Sequence, residues 1–145
     1  MKYVIVYWSR YGNGKKVVEH LSKILEEKGN ETTILTTDQA NPTSMPESDM
    51  YVFSAPTEMM NVQKNMRKFM KKLSGVEGCN CGIINTHETQ GINWIGKMEK
   101  MLSKKGMKMK AGMDFEIGKE AKQAEGLPEG WEKEVEQFVE KLSGS

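Results

Sequence analysis

The chain has little of several residue types that would announce a function. Its two cysteines, Cys79 and Cys81, are too few among 145 residues for a disulfide framework. The sequence therefore reads as a protein of a reducing, cytoplasmic compartment. The cysteines are spaced C-x-C rather than C-x-x-C, which favours structural thiols over a dithiol redox pair. Only two histidines are present, His20 on a helical stretch and His87 in a loop, and no His/Cys/Asp group has metal-ligand spacing. Nineteen lysines face only two arginines, Arg10 and Arg67. Readers of base sequence lean on arginine forks, so this balance argues against a nucleic-acid partner. No apolar run approaches the roughly 18 residues of a membrane span. The longest, Tyr3 to Trp8, has the length of a strand, and Met1-Lys2-Tyr3 enters it without signal-peptide features.

What is present is ordinary globular composition: 37% hydrophobic, 28% charged, mean hydropathy -0.62. At about 150 residues per domain, one domain over 1–145 is predicted. The formal net charge of +1 hides an uneven spread. Residues 1–59 are net -2, residues 60–112 net +8, and residues 113–145 net -5.

Strand and helix patterns alternate along the chain. Val4-Ile5-Val6-Tyr7, Met50-Tyr51-Val52-Phe53 and Gly82-Ile83-Ile84 are continuous apolar runs, as in strands buried on both faces. Thr32-Thr33-Ile34-Leu35 is more polar, and Met107 to Ile117 alternates with its apolar side chains on one face. These two read as edge strands. Helical stripes fall at Val17, Val18, Leu21, Ile24 and Leu25, at Val62, Met66, Phe69, Met70 and Leu73, at Ile95, Met98 and Leu102, and at Trp131, Val135, Phe138, Val139 and Leu142. Gly29 and Gly106 stand where the first and third helices should stop. The order βα-β-βα-βα-βα predicts an α/β three-layer sandwich with right-handed crossovers. A five-stranded parallel sheet of order 2-1-3-4-5 puts the two edge-type strands at its edges. Asn41 to Glu47 reads as a loop and Lys119 to Gly130 as a polar connector.

Such a sheet binds ligands beyond the C-terminal ends of its strands, where the strand order reverses. Three loops meet there. Ser9-Arg10-Tyr11-Gly12-Asn13-Gly14-Lys15 follows a strand and opens a helix. Its glycines let backbone N–H groups approach an anion, Asn13 tolerates a left-handed turn, and the helix end favours negative charge. The same residues also suit a plain strand-to-helix turn. The nucleoside-triphosphate motif fails because Lys16 follows Gly14-Lys15, and the dinucleotide fingerprint fails at Val17.

Val6-Tyr7-Trp8-Ser9-Arg10-Tyr11-Gly12-Asn13-Gly14 resembles the flavodoxin signature, an apolar strand followed by [ST]-x-x-G-x-T and an amphipathic helix. Gly14 stands where the family has Thr and offers only backbone to a phosphate. The element order and loop positions extend the resemblance over the whole chain, and the uninterrupted fifth strand looks like the short-chain branch. The resemblance implies a flavodoxin-like fold and non-covalent flavin mononucleotide (FMN), with the phosphate on Ser9 to Lys15. It implies that Ala55, Pro56, Thr57, Glu58, Met59, Met60 and Asn61 run along one ring face and the N5 edge. Met59 or Met60 is then the ring-face residue, since a thioether packs well on aromatic faces. Thr86, His87, Glu88, Thr89, Gln90, Gly91 and Trp94 would cover the other face, with Trp94 as the stacking aromatic. In the family a peptide beside N5 reorients on reduction. The second loop has no Gly, so a residue that takes φ > 0 there is charged roughly 1–2 kcal/mol, with only Asn61 partly exempt.

The function implied is a soluble carrier of low-potential electrons between redox partner proteins. A small FMN-dependent reductase using NAD(P)H and quinone-type acceptors, and a binding module that has lost its flavin, are the alternatives. The basic block adds an expectation about partners. Lys64, Arg67, Lys68, Lys71 and Lys72 lie on the second helix, and Lys97, Lys100, Lys104 and Lys105 at the third. Right-handed crossovers put both helices on one side of the sheet, which suits either simple solvation or steering of an acidic partner.

Overall fold

The computed structural model describes residues 1–88 and 91–144. Its elements are β1 (Lys2–Tyr7), α1 (Asn13–Glu27), β2 (Glu31–Thr36), β3 (Met50–Glu58), β4 (Asn61–Val62), α2 (Lys64–Lys72), β5 (Asn80–His87), α3 (Trp94–Ser103), β6 (Lys108–Glu116), a 3-10 turn (Ala121–Gln123) and α4 (Trp131–Leu142). The main sheet is parallel in the order β2-β1-β3-β5-β6, the expected 2-1-3-4-5 arrangement. The addition is β4, which pairs antiparallel with the end of β3. The stretch read as a continuous loop is thus a short hairpin.

Strand alternation divides the core into two layers. Val4, Val6, Phe53 and Ile83 pack against Met66, Phe69 and Met70 of α2 and Trp94, Met98 and Leu102 of α3. Ile5, Val52 and Ile84 pack on the other side against Val17, Leu21 and Leu25 of α1 and Val135, Phe138 and Leu142 of α4. Each large apolar side chain fully buried this way contributes about 1.5–3 kcal/mol. The lysine-rich helices α2 and α3 do share one side of the sheet. Gly29 (φ +89) and Gly106 (φ +83) follow α1 and α3 in left-handed conformations that return the chain to the sheet.

Strand β6 departs from simple alternation. Cys81 pairs with Met109, but Gly82 pairs with Ala111, leaving Lys110 as a bulge. The extra residue reverses the phase of the strand. Met107 and Met109 therefore face the α2/α3 layer, while Ala111, Met113 and Phe115 face α1/α4. The expectation that one face takes all these side chains is corrected by that bulge. The polar connector also has more structure than its composition suggests. Gly118 N–H donates to Gly126 O at 2.8 Å, closing a loop around the 3-10 turn.

Gly82 sets how closely α4 approaches the sheet. A Cβ there would stand 2.7 Å from Leu142 Cδ2 and 3.0 Å from Phe138 Cζ. Gly82→Ala is expected to destabilise the protein by about 1–3 kcal/mol through overpacking. Adding Leu142→Ala should cost less than the sum of the two single changes in urea unfolding, because it empties the space the new methyl needs.

Candidate functional site

At the C-terminal edge of the sheet, where β1 and β3 diverge in connection, a cleft of about 540 Å³ opens. It is lined by Trp8, Ser9, Arg10, Tyr11, Asn13 and Gly14 from the first loop, by Pro56, Thr57, Glu58, Met59 and Met60 around the hairpin, and by Thr86, Glu88, Ile117 and Lys122. That volume lies within the range of small-molecule and cofactor sites, roughly 300–1,000 Å³.

The first loop ends in an open helix terminus. Gly12, at φ +96, is the N-cap of α1, and no side chain caps the helix and no acidic residue lies in its first turn. The positive end of the 15-residue helix is therefore uncompensated and faces the cleft mouth. Ser9 Oγ accepts from Gly12 N–H at 3.1 Å and shapes the turn. A Cβ on Gly12 would come to 3.0 Å from Ala124 Cβ, so both space and backbone angle ask for glycine. Gly14 differs. A Cβ there would meet Ser9 Oγ and Ser54 Oγ at an ordinary 3.7 Å. Asn13 is helical rather than left-handed, and its buried side chain points into the connector: Nδ2 donates to Ala121 O at 2.8 Å and Oδ1 accepts from Gly126 N–H at 3.0 Å. Lys15 is exposed on the first turn of α1 and does not line the cleft.

The second loop is a two-residue hairpin. Thr57 pairs with Val62 and Glu58 with Asn61, leaving Met59 (φ 50) and Met60 (φ 60) as the turn. Positive φ at both central positions is type I′ geometry, which normally selects Asn-Gly. It is Met59 and Met60, not Asn61, that take the left-handed conformation. The cost of roughly 1–2 kcal/mol per residue sits in this conformation rather than in an alternative one. Met59 is 99% exposed and Met60 60% exposed. Asn61 Oδ1 instead accepts from Val62 N–H at 2.8 Å, and Ala55 is buried in the core beneath the hairpin. Arg10 ties the two loops together. Its Nε and Nη2 both donate to the Glu58 carboxylate, the second at 2.9 Å, and its guanidinium lies 4.9 Å from the Trp8 ring centroid. Hydrogen bonding to Glu58, reinforced by its charge, raises the Arg10 pKa above its ordinary value.

The third loop is brought together only in part. Thr86 and Glu88 line the cleft. Gly91 (φ +81) is exposed, and Thr89 and Gln90 lie outside the described residues. His87 is not a solvated loop residue. It ends β5, buried, with Nδ1 3.2 Å from Asn85 Oδ1 and 3.7 Å from Asp114 Oδ2. Asn85 Nδ2 donates onward to Ala55 O at 3.0 Å and Thr57 Oγ1 at 3.1 Å, so this polar chain braces β3 against β5 beside the cleft. Trp94 is not at the cleft either. It is 1% exposed in the α2/α3 layer, anchoring the start of α3. The aromatic at the cleft is Trp8, together with Tyr11. Trp8 was legible as the residue ending an apolar strand before Ser9, but its length of run assigned it to the strand. Ile117 and Lys122 arrive from the connector and carry no local sequence signal.

The other singled-out groups fall outside this site. His20 packs edge-on against Trp131, with ring centroids 5.3 Å apart, and is half-buried between α1 and α4. Burial, with a smaller contribution from the Glu99 charge, pushes the Cys81 thiol up to about 12, which leaves it protonated and unreactive. No group of three or more His, Cys, Asp or Glu suited to a metal ion occurs among the described residues.

The flavodoxin family model matches residues 5–132. The chain belongs to the flavodoxin family, whose members are FMN-binding electron-transfer proteins. Among solved structures it resembles the two-electron reduced flavodoxin of Megasphaera elsdenii, with a TM-score of 0.81 at 14% identity over 99% of each chain. It resembles the flavodoxin of Streptococcus pneumoniae TIGR4 with a TM-score of 0.79 at 16% identity, over 99% of this chain and 98% of that one. It also matches rubredoxin oxygen:oxidoreductase of Desulfovibrio gigas with a TM-score of 0.77 at 13% identity, covering 98% of this chain and 34% of that one. These likenesses speak for the fold. No curated protein matches the sequence. No described helix is long and apolar enough to cross a membrane.

The hairpin yields a direct test. Replacing Met59 with Asn and Met60 with Gly supplies the residues that type I′ geometry favours. The double variant is expected to gain about 1 kcal/mol of stability in the cofactor-free protein, the relieved strain exceeding the added chain entropy of glycine. Unchanged or reduced stability in urea unfolding would show that the methionines are not strained in solution.

Proposed function

We propose that this chain holds FMN non-covalently in the switch-point cleft and carries low-potential electrons between partner proteins. The observation that carries the proposal is the open N-terminus of α1, with a left-handed Gly12, no side-chain cap and no first-turn carboxylate, at one end of a cleft of cofactor size. That donor set fits a phosphate. Lys15 and Lys16 add positive charge at the same helix end. The apolar parts of Trp8, Tyr11, Met59 and Met60 would enclose the ring, while Thr57, Thr86 and Glu88 offer polar contacts to its edges.

FMN supplies the electron chemistry when bound; the protein orients it and excludes water from it. The cleft lining sets Arg10 and Lys122 against Glu58 and Glu88. With those charges balanced, a low potential would rest on apolar enclosure of the ring and on the charge of the phosphate itself.

Gly12→Val is expected to weaken FMN by at least about tenfold, some 1.4 kcal/mol, and riboflavin much less. Equal losses for both flavins would remove the phosphate from this loop. Gly14→Thr should act in the opposite direction, since a Cβ fits there and the hydroxyl adds a donor between Ser9 and Ser54. One added hydrogen bond, about 0.5–1.5 kcal/mol, corresponds to a gain of roughly two- to tenfold. Carrier and reductase are separated by steady-state assay. Rapid NAD(P)H oxidation sustained by quinone alone would favour the reductase.

A further inference from the structure

Helix α2 is built against its own electrostatics. Its nine residues carry Lys64, Arg67, Lys68, Lys71 and Lys72 and no carboxylate. Lys64, Lys68 and Lys72 follow one another at i, i+4 spacing, as do Arg67 and Lys71, and like charges so placed repel by about 0.2–0.5 kcal/mol per pair. Lys64 also occupies the first turn, where the helix dipole disfavours a cation. Lys71 and Lys72 are at the favourable end, and Arg67 uses Nε to donate to Val62 O at 2.8 Å. Lys68 and Lys72 are exposed, and neither has an ion-pair partner among the described residues.

Those two lysines share a groove. A depression of about 290 Å³ between α2 and the segment after β2 is lined by Thr37, Asp38, Pro42, Asn65, Lys68, Phe69 and Lys72. Thr37 Oγ1 lies in its wall, shielded and without a hydrogen-bond partner. Asp38 is the one carboxylate in the lining. The groove thus presents two cations one helical turn apart, an amide and an unused hydroxyl, over the apolar floor of Phe69. The helix continues directly from the hairpin that carries the exposed Met59 and Met60.

We propose that this groove docks an acidic protein partner by receiving a carboxylate side chain between Lys68 and Lys72. The carboxylate accepts from both ammonium groups and from Asn65 Nδ2, and a rotation about the Thr37 side chain turns its hydroxyl toward the same oxygen. The carboxylate is attracted to both ammonium groups at once, so the net electrostatics of the Lys68–Lys72 pair become favourable when it binds. The compact size of the groove and the scarcity of arginine favour a carboxylate over a nucleic-acid backbone. The proposal does not rest on the cofactor, and the cofactor-free and FMN-loaded proteins should behave alike.

The test is a titration of the full-length, isotope-labelled protein with a hexaglutamate peptide, followed by amide chemical shifts. At low ionic strength, saturable shifts are expected at Thr37, Asp38, Asn65, Lys68 and Lys72, with α4 unmoved. Lys68→Glu should weaken binding by about tenfold or more. Asp38→Asn should strengthen it, and Thr37→Val should weaken it severalfold without altering net charge. Lys104→Glu makes the same charge change just past the end of α3 and should have a small effect. Equal losses from Lys68→Glu and Lys104→Glu would mean that overall charge, not the groove, binds the peptide. Inorganic phosphate binding as tightly as the peptide would reassign the groove to small anions. A thymidine hexanucleotide binding more tightly than hexaglutamate would reassign it to nucleic acid. Any of these three results overturns the proposal.

Discussion

The cleft depends on one buried side chain. Asn13 is the first residue of α1, one position past the Gly12 N-cap. Both ends of its side-chain amide are used elsewhere, on Ala121 O and Gly126 N–H, more than a hundred positions along the chain. One consequence follows from those bonds. The connector between β6 and α4 is pulled against the first loop, which brings Lys122 and Ile117 to the cleft wall. Separately, the N-cap position is Gly12, which has no side chain to cap with, so the first N–H groups of α1 stay available to an anion. Gly126 permits the contact, since a Cβ there would stand 2.8 Å from Ala121 Cα.

The second organising constraint is charge placed on one face of the sheet. Helices α2 and α3 bury nearly all their apolar side chains in the same core layer, leaving lysines to fill the solvent side. Burial decides the fold because it outweighs surface repulsion: a single buried Phe69 or Met70 contributes about 1.5–3 kcal/mol, several like-charge pairs' worth. The repulsion is therefore tolerated in the fold. Helix α4 is the opposite case, with Glu132 and Glu134 in its first turn at the end that favours them.

Most of the fold was legible because its signals are local and redundant. Continuous apolar runs in β1, β3 and β5, two weaker edge strands and glycines after α1 and α3 all point to the same sheet order. What escaped was set by single backbone events. The bulge at Lys110 exchanges the faces of β6 while leaving its alternation intact, so periodicity cannot show it. The hairpin at Met59-Met60 violates the residue preference of its turn type, so no turn signal exists to read. Within the site, the loops were legible as loops, but side-chain direction was not. Thr86 and His87 are adjacent in a strand, and alternation sends one to the cleft and the other into the bracing chain with Asn85. Trp94 does not take its expected place at the cleft, and Trp8 stands there instead, for a similar reason. The start of α3 needs a large apolar anchor in the core, and Trp8 continues β1 past Tyr7, its N–H donating to Ser54 O at 3.0 Å.

The same geometry links the two ends of the cleft. Arg10 belongs to the loop that shapes the α1 terminus, and Glu58 immediately precedes the left-handed Met59. A conformation that costs each methionine roughly 1–2 kcal/mol persists only where its surroundings over-determine it. The surroundings here are the fork from Arg10 to Glu58, the ladder of β3 with β4, the Gln63 N–H donating to Pro56 O at 3.0 Å, and the Asn61 side chain on Val62 N–H. Three of these are internal to the hairpin and its exit. The Arg10 fork is the one that reaches across to the first loop. The hairpin tip is therefore tied to the first loop by a single exposed ion pair, a contact of the kind worth about 0–1 kcal/mol.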